Sequence, residues 1–254
     1  MKPRLAILFC LLSIPVFAAD FSKEDRAWWA FQPVRKPAIP SAGKGWAKNE
    51  IDPFIARKLA ANKLAPAKAA EVRTLIRRVT FDFTGLPPTL EEIKNFVEDK
   101  SPEAYAKLID RLLASPHFGA RWARFWLDLA GYSDSDGIQN ADPIRRPAYK
   151  YRDYVIRSFN DDKPYNRFLL EQMAGDELAD YRRAKVVTER MADNLVATGF
   201  LRFVPDATYA NITGFVPDRR DVIDAELEVL TSSVMGLTLK CAKCHYHKFD
   251  PLPQ

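Results

Sequence analysis

The sequence predicts a mainly α-helical domain, an irregular multi-helix fold with long loops and no substantial sheet, and three observations predict it. Apolar residues recur at i, i+3, i+4 and i+7 along most of the chain after Glu50. Helix-start residues stand in front of these stripes, and glycine or proline interrupts them. Strict apolar–polar alternation over the length of a strand does not occur.

Taken in order, Val72, Leu75, Ile76 and Val79 form the first stripe, and Thr84-Gly85-Leu86-Pro87-Pro88 is a turn. Thr89 is an N-cap with Glu92 three residues on, a capping-box pattern, ahead of a helix that buries Leu90, Ile93, Phe96 and Val97. Ser101-Pro102 opens a third helix with proline at its first position. Its apolar face is Tyr105, Leu108, Ile109, Leu112 and Leu113, and Ser115-Pro116 ends it. A fourth helix carries Phe118, Trp122, Phe125, Trp126 and Leu129 on one side and Arg121, Arg124 and Asp128 on the other. A polar stretch, Tyr132 to Arg146, precedes helices near residues 149–159, 165–173 and 185–197. The last long helix is expected from about Arg219 to Gly236, with Ile223, Leu227, Leu230 and Val234 on its buried face.

The N-terminus follows other rules. Lys2 and Arg4 precede an apolar run from Leu5 to Phe17, and Val16-Phe17-Ala18 offers the modest side chains that a signal peptidase reads. Residues 1–18 are therefore expected to be a cleaved signal peptide, which places the mature chain in the periplasm or outside the cell. Cys10 lies within the apolar run without small residues directly before it, so it is not a lipid-attachment site. Residues 19–50 are rich in proline and tryptophan and read as an extended arm pinned by Trp28, Trp29 and Trp46. Residues 51–254 form the helical domain.

Composition narrows the function. With 47% hydrophobic and 28% charged residues, the chain is neither disordered nor collagen-like. No stretch beyond the leader approaches the roughly 20 apolar residues of a membrane span. Losing Lys2 and Arg4 lowers the formal charge from +5 to +3, and the remaining charges of both signs are interspersed, so no nucleic-acid partner is expected. Three cysteines become two, which leaves no long-range disulfide framework in an exported protein.

Those two cysteines sit in Cys241-Ala242-Lys243-Cys244-His245, the spacing of c-type haem attachment. Two thiols one helical turn apart can each form a thioether with a vinyl group on one porphyrin edge, and the adjacent histidine then reaches the iron as proximal ligand. Composition alone gives roughly 0.0004 chance matches to this pattern in such a chain. The expected cofactor is thus covalent haem c on Cys241 and Cys244, with His245 as proximal ligand and His117 as a candidate distal ligand beside Met173, Met191 and Met235. Three rivals stay open: a Cys241–Cys244 disulfide, a thioredoxin-like redox pair, and a zinc or iron site that adds His247 as an alternative metal ligand. The redox pair would want a βαβ setting that the chain lacks. Asp134, Asp136 and Asp142 could bind a cation or act as acid and base, and Asn211-Ile212-Thr213 fits a glycosylation acceptor.

The segments Arg77 to Thr89, Ser115 to Gly119, Arg121 to Asp128 and Cys241 to Pro251 resemble a domain of unknown function, the second of the cytochrome-associated domains in large secreted proteins of planctomycete and verrucomicrobial type. The resemblance spans about residues 51–254 and implies export, a helical architecture and a haem-type motif near the domain's end. It also implies an adjoining cytochrome c domain or another redox protein as partner. The chain departs from that pattern at Phe125, where many relatives carry histidine, and it stops at Pro253-Gln254 where relatives continue, so a truncated domain is expected. The function expected from all this is an exported haem-c module that passes electrons within a larger multidomain protein, the alternative being a non-haem metal-binding domain of a secreted enzyme or scaffold.

Overall fold

The computed structural model describes residues 21–137, 142–178, 180–206 and 216–254. The expected leader over residues 1–18, Cys10 and the Asn211-Ile212-Thr213 acceptor lie outside the described residues. Among those described, every regular element is helical, and the sole β feature is an isolated bridge between Ser135 and Ile144. The mainly α prediction therefore holds. The α-helices are α1 (Lys23–Arg26), α2 (Asp52–Ala61), α3 (Val72–Thr84), α4 (Leu90–Glu98), α5 (Ala104–Leu113), α6 (Pro116–Leu129), α7 (Ala148–Asn160), α8 (Tyr165–Ala174), α9 (Glu189–Ala197) and α10 (Val216–Leu230). The chain falls into two compact units: residues 38–240, and the terminal segments 21–37 and 241–254.

Within residues 38–240 there are two apolar clusters. The first joins α3, α4 and α5 through Ile76, Val79, Leu108 and Leu112, with Ile93 and Phe96 packed against them. Its turns follow the local chemistry. Gly85 closes α3 in the left-handed region (φ 72°), donating its N–H to Phe81, a conformation that costs a Cβ-bearing residue energy. Thr89 and Glu92 cap α4 reciprocally, Glu92 N–H to Thr89 Oγ1 at 3.2 Å and Thr89 N–H to Glu92 Oε2 at 2.7 Å. Leu90, expected in the core, is 87% exposed, because the first residue of a helix projects ahead of the packed face. Pro102 stands before α5 rather than at its first position: Asp99 Oδ1 accepts the Ser101 N–H at 2.8 Å and builds a turn that delays the helix to Ala104.

The second cluster surrounds Trp126, whose ring packs against Phe168 (centroids 4.9 Å) and Phe200 (5.6 Å). Here α6 departs from its predicted face. The buried line is Gly119, Ala123, Trp126 and Ala130, while Trp122, Phe125 and Leu129 remain partly exposed. Small residues let α6 approach α7 closely: a Cβ on Gly119 would lie 2.4 Å from the Ile156 carbonyl oxygen. At the same crossing the Asn160 side chain accepts the Gly119 N–H at 2.7 Å. The larger aromatics form a second seam, Phe83–Phe118–Trp122–Phe125, with successive centroids 6.1, 6.1 and 5.5 Å apart, alongside the packing of α6 on α3.

Two adjacent polar residues of α8 in this cluster are buried and matched. Gln172, fully buried on α8, accepts from Trp126 Nε1 (2.8 Å) and Tyr151 OH (2.5 Å) and donates to the Phe168 carbonyl. Its neighbour Glu171 accepts from Tyr154 OH (2.8 Å), Lys163 Nζ (2.6 Å) and Arg167 Nε (2.7 Å). Burial pushes the Glu171 carboxyl up, but these donors outweigh it and hold the group below its usual range. Burial and the Glu171 carboxylate together push the Tyr154 phenol well above its ordinary value.

Two outcomes are expected. A carboxyl whose folded pKa lies below its unfolded one stabilises fully above roughly pH 4.3, and that contribution is lost as pH falls through the folded value. Glu171→Gln should therefore lower stability by about 1–3 kcal/mol at pH 7 and by much less at pH 3, as read from thermal unfolding at both. Gly119→Ala should cost about 1–3 kcal/mol at either pH, since the clash is with backbone.

Candidate functional site

The motif follows α10 in the chain. Three hydroxyl residues in a row, Thr231, Ser232 and Ser233, close α10. Thr231 Oγ1 donates to the Leu227 carbonyl (2.8 Å) and Ser232 Oγ to that of Glu228 (2.5 Å), which loosens the ladder into a π turn over Thr231–Met235. Ser233 Oγ instead reaches the Leu129 carbonyl at the end of α6 (2.8 Å) and satisfies one of its orphan acceptors. Gly236 (φ 66°) turns the chain, and the Lys240 N–H donates to Glu228 Oε2 at 2.7 Å. The expected face of α10 is also shifted: Val222 and Thr231 are buried, whereas Ile223 and Leu227 are about half exposed.

A 3-10 turn, Leu239–Lys243, carries the first cysteine. The Cys244 and His245 N–H groups both donate to the Cys241 carbonyl, at 3.3 and 3.4 Å, so the motif is a single tight turn. Both thiols are free and exposed. His245 is exposed, with Nδ1 2.8 Å from the Tyr246 carbonyl oxygen. A carbonyl only accepts, so Nδ1 carries the proton and the Nε2 lone pair is available to a metal. Two accessible thiols one turn apart beside a histidine in this tautomer fit the donor set of a covalent haem.

His247 has the opposite tautomer. Its side chain is 4% exposed, and Nδ1 accepts the Asp250 N–H (2.9 Å) and the Phe249 N–H (3.3 Å). Two backbone N–H groups directed at Nδ1 place its proton on Nε2, although the Asp250 carboxylate lies 3.3 Å away. The His247 N–H donates to the Leu252 carbonyl at 3.0 Å. His247 thus has a fastening role in this loop and holds no spare lone pair for a metal. Among the described residues, no group of three or more His, Cys, Asp or Glu side chains converges as a metal site.

The terminal segments share this unit. Ser22 and Asp25 form a reciprocal capping box around α1, so the expected arm begins with a helical turn rather than extended chain. A cavity of about 200 Å³ is lined by Phe21, Asp25, Tyr246, His247, Asp250 and Pro251, among others. None of the buried apolar residues lies in this unit among the described residues, and Trp29, Tyr246 and Phe249 are each at least 70% exposed.

The remaining candidates lie in residues 38–240. His117 is exposed in the first turn of α6, its N–H donating to the N-cap Ser115 Oγ at 3.3 Å. Met173 and Met235 are exposed on α8 and the π turn. The aspartates are each used structurally: Asp134 accepts from Tyr132 OH (2.7 Å), Asp136 pairs with the buried Arg145 guanidinium, and Asp142 accepts the Gly137 N–H (2.9 Å). Burial and the Asp134 carboxylate push the Tyr132 phenol up to about 12. These aspartates hold the loop together rather than forming an acid–base pair.

Two measurements check this assignment. Iodoacetamide should label both Cys241 and Cys244 in the folded, reduced protein. Asp136→Ala should lower stability by about 1–3 kcal/mol, by removing the ion partner of the part-buried Arg145, and added Ca2+ should not change the loss.

The family described as PSCyt2, protein of unknown function (DUF1549), matches residues 50–254. No curated protein and no solved structure matches the chain. Among the described residues no helix is long and apolar enough to cross a membrane.

Proposed function

We propose, on the premise that the chain belongs to this PSCyt2 family of unknown function, that it is an exported haem-c module that passes electrons within a larger multidomain protein. The observation that carries the reading is the Cys241–His245 turn, with two exposed thiols and a histidine whose Nδ1–H is committed to a carbonyl. Cys241 and Cys244 would hold the porphyrin by thioethers, and His245 Nε2 would be the proximal ligand. When bound, the haem supplies reversible one-electron chemistry at iron. The protein's contribution is mounting: the Tyr246 carbonyl orients the His245 ring. Export through residues 1–18 supports the reading, since thioether attachment needs reduced thiols presented outside the cytoplasm. Its electron partner would be an adjoining cytochrome c domain or a separate redox protein. The non-haem metal alternative has less support, because His247 spends its Nδ1 lone pair on backbone N–H groups.

The test is a pyridine haemochrome spectrum of protein exported in a host with cytochrome c maturation machinery. A c-type α band that survives denaturation and disappears in Cys241→Ser/Cys244→Ser is the expected result. A colourless, folded protein overturns the reading and directs attention to zinc and iron analysis.

A further inference from the structure

We infer that His247 is the positioning residue of the motif: it fastens the loop from His245 to Leu252 so that the Tyr246 carbonyl is held toward His245 Nδ1, and thereby selects which nitrogen His245 presents. The importance of that nitrogen rests on the haem reading above, but the fastening itself is a property of the chain without any cofactor.

Tyr246 is 70% exposed and has no packed side chain to fix its peptide plane. Left alone, its carbonyl would turn to water, and the exposed His245 ring would exchange tautomers freely. What fixes that plane is the next residue. His247 is held at two points: its backbone N–H on the Leu252 carbonyl (3.0 Å) and its Nδ1 under the Phe249 and Asp250 N–H groups (3.3 and 2.9 Å). The Leu252 N–H in turn donates to the Asp250 carbonyl at 2.7 Å, closing the loop on itself. With the side chain at 4% exposure, the Nδ1 acceptor is shielded from competing water. Removing it strands two N–H groups and frees the Tyr246 plane. The two histidines therefore act in series, with opposite tautomers: one accepts at Nδ1 to lock the loop, and the other donates at Nδ1 to expose Nε2.

The acceptor is specifically at the δ position, and this gives the test its discrimination. Asparagine Oδ1 occupies nearly the place of histidine Nδ1 and accepts the same N–H groups, as in an Asx turn, whereas glutamine places its oxygen one bond farther out. A residue needed as a metal ligand would show another order, with neither amide replacing imidazole.

The experiment uses the full chain carrying Cys241→Ser/Cys244→Ser, free of cofactor, so that failure of the haem reading cannot affect it. Amide hydrogen exchange at Phe249 and Asp250, and the 15N–1H long-range pattern of the His245 ring at fixed pH 7.5, are measured in His247→Asn, His247→Gln and His247→Ala. The expected result is exchange about tenfold faster in the Gln and Ala variants and within about twofold of the parent in Asn, with His245 held as the Nδ1–H tautomer in the parent and Asn but mixed in Gln and Ala. Unchanged exchange in His247→Ala, or a His245 tautomer that ignores all three substitutions, overturns the inference. So does an Asn variant as disturbed as Ala. Unaltered exchange at Ile76 and Val155 in the two cores separates a local effect from misfolding.

Discussion

The packing around Trp126 depends on two adjacent polar side chains of α8 being satisfied at once. Glu171 and Gln172 are both buried, and a buried carboxylate or amide is tolerated only when its partners are in place. Glu171 gathers Tyr154 from α7, Lys163 from the turn before α8, and Arg167 from its own helix. Gln172 gathers Trp126 from α6 and Tyr151 from α7. A slip of one residue in α8 would leave both sets unmatched in a low-dielectric interior, so the pair fixes the register of three helices more sharply than apolar packing could. From there the constraint propagates. Tyr151 and Tyr154 fix α7, Asn160 at its end fixes the start of α6 through Gly119, and the far end of α6 receives Ser233 on the Leu129 carbonyl. The π turn over Thr231–Met235 is thereby tied to the same framework.

The sequence was most legible where a signal is local. The capping box at Thr89 and Glu92, the glycine turn after α3 and the existence and rough extent of α3 through α10 all follow from neighbours within one or two turns. The choice of buried face on α6 was not legible. Hydrophobic periodicity ranks residues by apolar bulk and so favours Phe118, Trp122, Phe125 and Leu129, but a close crossing wants the opposite property. Gly119, Ala123 and Ala130 are buried because they are small, and only Trp126 lies on both readings. The same reason explains Ile223 and Leu227, which form a clean stripe that packing leaves half covered. Glu171 and Gln172 could not be read as core at all, since their burial is conditional on partners 17 to 46 residues away.

The candidate site divides in the same way. The spacing of Cys241, Cys244 and His245 is a property of one turn and is visible in the string of residues. The difference between His245 and His247 is not, since both are histidines two positions apart and both are chemically able to bind metal. Backbone geometry separates them: a carbonyl beside one Nδ1 and two N–H groups beside the other assign the protons oppositely. Tyr246 enters the site through its main chain, which no reading of side-chain chemistry would select.

The composition of the terminal unit bears on the proposed cofactor. The unit has no buried apolar side chain among its described residues, yet it orders a capping box, a fastened histidine loop and exposed aromatics at Trp29, Tyr246 and Phe249. Small units of this kind are held by disulfides, metals or a bound group. A disulfide between Cys241 and Cys244 would span one turn already closed by two hydrogen bonds to the Cys241 carbonyl and would add little, because the stabilisation from a cross-link grows with the loop it closes. In the proposed haem reading, a macrocycle anchored at the same two sulfurs would offer the exposed rings an apolar surface, and His245 Nε2 would be the residue to hold its iron. In that reading the loop fastened by His247 would be the scaffold on which the cofactor is mounted.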